Sequence, residues 1–99
     1  MHYIDIKVEK KKAWLVTPTE IICDNSDYLA VFTFDSDWDE YPTKTARFFY
    51  NGIYQDVIFE GTTCNVPVIT KAAGVFIGVF AGNIATSTPA YVPCVKSVL

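Results

Sequence analysis

Residues 32–50, FTFDSDWDEYPTKTARFFY, decide the fold because they hold two strands joined by a short acidic connector. The flanking segments, FTF before the connector and ARFFY after it, are rich in the aromatic residues that favour strands. We predict that this segment forms a corner of a β-sandwich. Its packed inner side is expected to consist of Phe32, Phe34, Trp38 and Phe48, and its solvated, turn-capping side of Asp35, Asp37, Asp39 and Glu40.

Alternation of apolar and polar residues predicts further strands on both sides of this corner. Residues 3–9 alternate with period two, as expected for a strand that buries one face. Residues 28–34 are largely apolar on both faces, as expected for a strand inside a two-layer sandwich or at a subunit contact. Asn51-Gly52 precedes the strand predicted over 53–60, and this pair favours a two-residue hairpin because a type I′ turn needs positive φ at both central positions. The run of lysines at 10–12 predicts a solvated hairpin turn, with a phosphate-binding patch as the alternative.

The segment over residues 74–82, GVFIGVFAG, is apolar on both faces. Phe76 and Phe80 share one face with Gly78, while β-branched residues occupy the other face. The four-residue spacing of the glycines also fits a helix-packing motif, but the β-branched and aromatic residues favour a strand. We therefore predict a central strand that is buried on both faces.

Other segments carry weaker signals. Residues 69–73 are predicted to form a single helical turn. Pro89 and Pro93 predict that the last segment is an edge strand, because proline cannot donate a ladder hydrogen bond. Residues 19–23 are predicted as a brief strand.

About eight short strands, with no long helix, internal repeat or linker, predict one domain over residues 1–99. The fold class is all-β: a small antiparallel β-sandwich, immunoglobulin-like or jelly-roll-like, with a partly open barrel as the alternative. The composition is 51% hydrophobic and 19% charged, which excludes a disordered chain.

Charge and cysteine content restrict the class of partner. The net charge of −3 and pI near 4.9 give no basic face, so we expect no nucleic-acid partner. The longest apolar stretch has about 11 residues where a membrane helix needs about 20, and the N-terminus lacks a secretory apolar region. Three scattered cysteines, Cys23, Cys64 and Cys94, are expected to be buried thiols in a reducing compartment.

Residues capable of chemistry are sparse. His2 is the one histidine, and we expect a frayed terminal residue rather than a catalytic base. The D-x-D-x-D spacing over 35–39 matches the first residues of an EF-hand calcium loop. The rest of that motif is absent, because Glu40 occupies the position that requires glycine and Ala46 the position of the last, bidentate glutamate. A calcium site of another type is the alternative. We expect no catalytic residue, no metal, no cofactor and no small-molecule substrate.

The order of several motifs suggests a family. These are F-x-F-D-x-x-W-D over 32–39, K-T-A-x-F over 44–48, C-x-V-P over 64–67, the glycine-rich strand over 74–82 and a Thr-Pro segment over 86–93. The pattern resembles small domains encoded in tail-module regions of bacteriophages and prophages of Gram-positive bacteria. It is similar to the N-terminal domain of siphophage baseplate upper proteins, over roughly residues 28–99.

The resemblance implies a non-catalytic virion structural module that docks into the tail or baseplate. It implies other tail or baseplate proteins as partners, a homo-oligomer, and a location in the virion tail after synthesis in the host cytoplasm. Phe76 and Phe80 join the four inner-corner residues as candidates for packing or interaction. The alternative is a carbohydrate-binding or adhesion β-sandwich, with stacking candidates Trp14, Trp38, Tyr41, Tyr54 and Tyr91.

Overall fold

The computed structural model describes residues 1–98 and contains ten strands and one 3-10 turn over that range. The strands are β1 (His2–Glu9), β2 (Lys12–Leu15), β3 (Ile21–Ile22), β4 (Tyr28–Phe34), β5 (Thr43–Tyr50), β6 (Ile53–Glu60), β7 (Thr63–Asn65), β8 (Gly74–Ala81), β9 (Ile84–Ala85) and β10 (Ala90–Val95). The 3-10 turn, Ser36–Trp38, links β4 to β5. Within residues 1–98 there is no helix of the length and apolar character that crossing a membrane requires.

The strands form two sheets, and the predicted all-β class is confirmed. The smaller sheet has the order β2-β1-β4-β7, and the larger has β3-β10-β8-β5-β6 with β9 beside β8. The sheets are mixed rather than purely antiparallel, because β1 runs parallel to β4 and β3 runs parallel to β10. β3 lies within the brief strand predicted over 19–23, whereas β9 was not predicted, because its two residues are too few to show a period.

The core lies between the two sheets and takes alternate residues from the strands that face it. Trp38 closes one end of this core from the 3-10 turn. Fully buried members from the strands include Ile4, Ile6, Val8, Ile21, Ala30, Phe32, Ala46, Phe48, Val75, Ile77, Val79, Ala90 and Val92. The period-two pattern predicted over 3–9 therefore matches the observed burial, and β4 buries Tyr28, Ala30 and Phe32 while Thr33 on its other face is exposed.

Both predicted hairpin turns are confirmed. Asn51 and Gly52 have φ of 52° and 74°, the positive values that a type I′ turn requires. Lys10 and Lys11 have φ of 52° and 61° and are exposed between β1 and β2.

Three local predictions are wrong. Residues 69–73 form no helical turn, because their carbonyls bond other segments: Asp24 N–H donates to Ile69 at 2.8 Å and Cys94 N–H to Ala73 at 2.9 Å. His2 is not frayed, since its N–H donates to the Asp27 carbonyl at 2.8 Å and it pairs in β1.

The predicted edge position of β10 is also wrong, since this strand lies between β8 and β3. The Cys94 N–H points toward β8. Backbone groups alternate along a strand, so the nitrogen of Pro93 faces away from β8. On that side, pairing with β3 begins only at Cys94, and Pro93 therefore leaves no ladder bond unmade.

Candidate interaction surface on the larger sheet

The outer face of the larger sheet carries four aromatic side chains in one line. Tyr91 on β10 faces Phe76 on β8, Phe76 faces Phe49 on β5, and Phe49 faces Tyr54 on β6. Their exposed fractions are 45%, 42%, 44% and 55%. Neighbouring strands lie about 4.8 Å apart, so this aromatic row spans about 15 Å.

The aromatic row follows from the parity of the strands. On β8 the odd-numbered residues face the core, which places Phe76, Gly78 and Phe80 on the outer face. On β5 the even-numbered residues Ala46 and Phe48 are buried, which turns Arg47 and Phe49 outward by alternation. Aromatic and basic side chains from adjacent strands therefore meet on one surface.

Arg47 and Asp56 form an ion pair beside the aromatic row. Arg47 Nε donates to Asp56 Oδ1 at 2.8 Å, and Arg47 Nη2 donates to Oδ2 at 2.9 Å. These hydrogen bonds, together with the positive charge, lower the pKa of Asp56. The guanidinium also lies 4.0 Å from the ring centre of Tyr54 and 5.2 Å from that of Phe80. The charges at the centre of this face thus cancel within the chain.

A shallow groove lies beside this ion pair, with Gly78 as its floor. Its volume is about 690 Å³. A side chain at Gly78 would crowd this floor, since an added Cβ would lie 3.1 Å from Thr86 Oγ1. That hydroxyl already accepts a hydrogen bond from Val79 N–H at 3.1 Å. The groove is lined mainly by Arg47, Phe49, Phe76, Phe80, Asn83, Thr86 and Pro89.

Gly74 holds one end of the aromatic row in place. A Cβ at this position would overlap the ring of Tyr91, so the ring rests over bare backbone. The Tyr91 hydroxyl donates to the Ala73 carbonyl at 3.4 Å. The rings of Phe76 and Tyr91 have centroids 5.0 Å apart and planes inclined by 54°. The row is therefore ordered, but it does not present one flat platform.

The six candidates named from the sequence fall into two groups. Phe32, Trp38 and Phe48 are buried in the core, and Phe34 packs against it with its ring 5.1 Å from that of Trp38. Phe76 and Phe80 lie on the opposite, outer face, at the aromatic row and the groove respectively. The expectation that both faces of β8 are buried is wrong, because the second sheet covers only one side of the larger sheet.

Phe49 and Arg47 are surface residues that the sequence did not single out. The signal was available in the K-T-A-R-F-F-Y run, because burial of Phe48 places both neighbours on the opposite face. The pattern was difficult to recognise because Phe48, Phe49 and Tyr50 are consecutive aromatic residues, so buried and exposed positions do not differ in residue type.

The acidic connector forms a capped turn, as expected. Asp35 Oδ1 accepts from Asp37 N–H at 3.1 Å, and Oδ2 accepts from Lys10 N–H at 2.8 Å. Asp35 thus caps the 3-10 turn and ties it to the lysine hairpin. Over residues 1–98, no cluster of three or more His, Cys, Asp or Glu is placed to hold a metal ion.

The five aromatic residues proposed for sugar stacking do not share a surface. Trp14 is 41% exposed on the smaller sheet, while Trp38 is buried. Tyr41 packs against Gly82, where an added Cβ would lie 2.7 Å from the ring. Tyr54 and Tyr91 remain on the outer face, at opposite ends of the aromatic row.

The three cysteines are free and buried, as predicted. Burial raises the pKa of the Cys64 thiol from 9.0 to about 11. Burial, with a contribution from Cys23, raises the pKa of Cys94 to about 11 as well. The raised pKa values keep Cys64 and Cys94 protonated at neutral pH, so they act as small core residues and not as reactive thiolates.

The raised thiol pKa values predict a loss of stability at alkaline pH. The Cys64 thiol ionises near pH 9.0 in the unfolded protein and near 11 in the folded protein. Its contribution to the free energy of unfolding is therefore complete below pH 9.0 and declines as the pH rises from 9.0 to 11. Denaturant unfolding of wild type and Cys64→Ala across this range measures it, because the variant lacks that decline. A constant difference between the two proteins at all pH values would contradict the prediction.

Comparison with known proteins finds no family model that matches the chain, no similar curated protein and no similar solved structure.

Proposed function

We propose that this chain is a non-catalytic structural module of a phage or prophage virion that docks into the tail or baseplate through the outer face of its larger sheet. The observation that carries the docking proposal is the aromatic row of Tyr91, Phe76, Phe49 and Tyr54. The motif resemblance over residues 28–99 supplies the tail or baseplate as the assembly.

The composition of the outer face suits a protein interface. Interface centres are depleted of charge and enriched in aromatic residues and arginine, the types that dominate binding energy. Here four exposed aromatic rings adjoin Arg47, whose charge Asp56 neutralises. A partner covering this face would bury apolar area without leaving either charge unpaired.

The rigidity of the face also supports docking. Three of the four rings lie on β10, β8 and β5, which are inner strands of the larger sheet. Little conformational freedom is lost when side chains on such a scaffold bind a partner.

Carbohydrate binding is the second candidate, and the solvent-exposed aromatic face favours it. Sugars stack on flat aromatic surfaces flanked by polar groups, and Asn83 and Thr86 are polar residues that line the groove. The inclination of 54° between Phe76 and Tyr91 works against a flat platform, and Arg47 already donates to Asp56. Protein docking is therefore the better-supported function.

The double variant Phe49→Ser/Phe76→Ser tests the proposed surface. We expect it to weaken binding to purified tail and baseplate proteins of the same phage or prophage by about 1,000-fold, since each of the two buried hot-spot aromatics contributes about 2 kcal/mol or more. Surface plasmon resonance measures the affinity. Trp14→Ser is the matched control, because this ring is 41% exposed on the other sheet.

Two results would contradict the proposal. One is wild-type protein that binds none of those tail and baseplate proteins. The other is equal loss of binding in the double variant and in Trp14→Ser. Binding to polysaccharides on a glycan array, abolished by Phe76→Ser, would support the carbohydrate alternative instead.

A further inference from the structure

The outer edge of β6 has an unpaired row of backbone groups. Gly61 N–H donates to the Pro42 carbonyl at 3.2 Å, which fixes the ladder between β5 and β6. By alternation, the odd-numbered residues of β6 bond to β5. The backbone groups of Tyr54, Asp56 and Ile58 point away from the sheet. Within residues 1–98, no hydrogen bond from another segment reaches them.

The other sheet edges are short or covered. β3 has two residues and β7 has three. β2 has four, and its edge is covered because Ala13 N–H donates to the Thr88 carbonyl at 2.9 Å. β6 has eight residues, so its open edge is about 27 Å long.

β6 lacks most of the features that protect edges from pairing. It contains no proline and no lysine, and its ladder with β5 is continuous over eight residue pairs without a bulge. Ile58 is 73% exposed. The charge of Asp56 is neutralised by Arg47 on the neighbouring strand, so it does not repel an approaching strand strongly.

We propose that β6 pairs antiparallel with β6 of a second copy of this chain, an inference that rests on the proposed function as an assembly module. An antiparallel edge is complementary to itself, because a two-fold axis places the donors of each strand opposite the acceptors of the other. The second copy therefore satisfies the whole open edge with no other partner.

Charge and length select the register of the pair. Centring the two-fold axis on Asp56 would place two carboxylates directly opposite each other, which is unfavourable. Centring it on Val57 pairs Asp56 with Ile58 of the second copy and Tyr54 with Glu60, and it uses nearly all of β6. Val57 then faces Val57 in a non-hydrogen-bonded pair, since its own N–H bonds to β5.

This pairing would join the larger sheets of the two copies into one continuous sheet. Tyr54 lies at the β6 end of the aromatic row and pairs with Glu60 of the second copy in this register, so the two rows would lie offset from each other by about 20 Å along the strands. The dimer would present both outer faces on the same side, which doubles the surface proposed for docking.

Sedimentation of wild type and Ile58→Pro at increasing micromolar concentration tests the edge. Proline removes the outward N–H of Ile58 and leaves the bonds to β5 intact, so we expect a monomer where wild type forms a dimer. Ile58→Val keeps the N–H and the branched shape, and it should still form the dimer. Thermal unfolding checks that both variants fold.

Cross-linking tests the register without a proline. A non-hydrogen-bonded antiparallel pair has Cα atoms about 4.5 Å apart, within the range that a disulfide spans. Val57→Cys should therefore form a covalent dimer when diamide takes up the two electrons and two protons of the thiol pair. Tyr54→Cys, although more exposed, should not, because its own counterpart lies several residues away in this register.

A wild-type protein that remains monomeric throughout would overturn edge pairing. A dimer that persists in Ile58→Pro would also overturn it. So would a dimer that is lost in Phe49→Ser/Phe76→Ser, because that loss would show that the two copies pair through the outer face. An intact dimer that binds no tail or baseplate protein would overturn the proposed function and leave edge pairing supported.

Discussion

Replacing Trp38 with alanine is expected to lower the free energy of unfolding by about 3–5 kcal/mol, the range for large buried aromatic residues. The side chain is 1% exposed and lies in the connector between β4 and β5. Its ring centre is 5.1 Å from that of Phe34, which in turn stacks on Phe32. Removing the indole leaves a cavity at the end of the core that these rings cannot fill.

Two control variants separate packing from polar effects. The indole Nε1 is buried and has no hydrogen-bond partner within residues 1–98, so Trp38→Phe loses volume but also removes an unpaired donor. We expect this variant to cost much less than alanine, about 1–2 kcal/mol. Asp37→Ala should cost about 0.5 kcal/mol or less, as is usual for exposed positions.

Denaturant unfolding followed by circular dichroism measures all three variants. A larger loss in Asp37→Ala than in Trp38→Ala would show that the acidic residues of the connector have a role beyond capping. Equal losses in Trp38→Phe and Trp38→Ala would show that a phenyl ring at this position recovers none of the packing of the indole.

Local chemistry made much of this fold predictable. Asn51-Gly52 specifies its own turn through positive φ, and Asp35 caps the residues that follow it. The strands over 28–34 and 53–60 were predictable from the alternation of their residues and from the turn residues that flank them. Each of these signals lies within a few residues of the feature that it predicts.

Pairing between distant strands was not predictable in the same way. The parallel alignment of β1 with β4 joins His2 to Tyr28 and Val8 to Phe34, and no short-range pattern encodes it. It depends on how the whole chain distributes apolar faces between the two sheets. A brief strand was predicted over 19–23, but its parallel pairing with β10 was not.

The candidate site shows the same limit. The sequence placed Phe76, Gly78 and Phe80 on one face of β8, and that grouping is confirmed. It did not reveal which face is outward, because Val75, Ile77 and Val79 are equally apolar. The outcome follows from the position of the smaller sheet, which covers the face with branched residues that pack tightly and leaves the aromatic face exposed.

Truncation of two adjacent residues on β8 is therefore expected to lower the free energy of unfolding by very different amounts. Ile77→Ala should lower the free energy of unfolding by about 2–5 kcal/mol, because this side chain is fully buried between Phe48 and Ala90 on the flanking strands. Phe76→Ala removes a larger side chain, yet it should cost less than about 1 kcal/mol, because the ring is 42% exposed and packs mainly on Tyr91.

Chemical unfolding of the two variants under identical conditions decides between the faces. Phe76→Ala should retain the wild-type unfolding midpoint closely while losing affinity for the docking partner, and Ile77→Ala should lose stability. If Phe76→Ala is the more destabilised protein, the aromatic face belongs to a core and the outer face of the larger sheet is not free to dock. The pair thus tests the fold and the surface on which the proposed function depends in a single comparison.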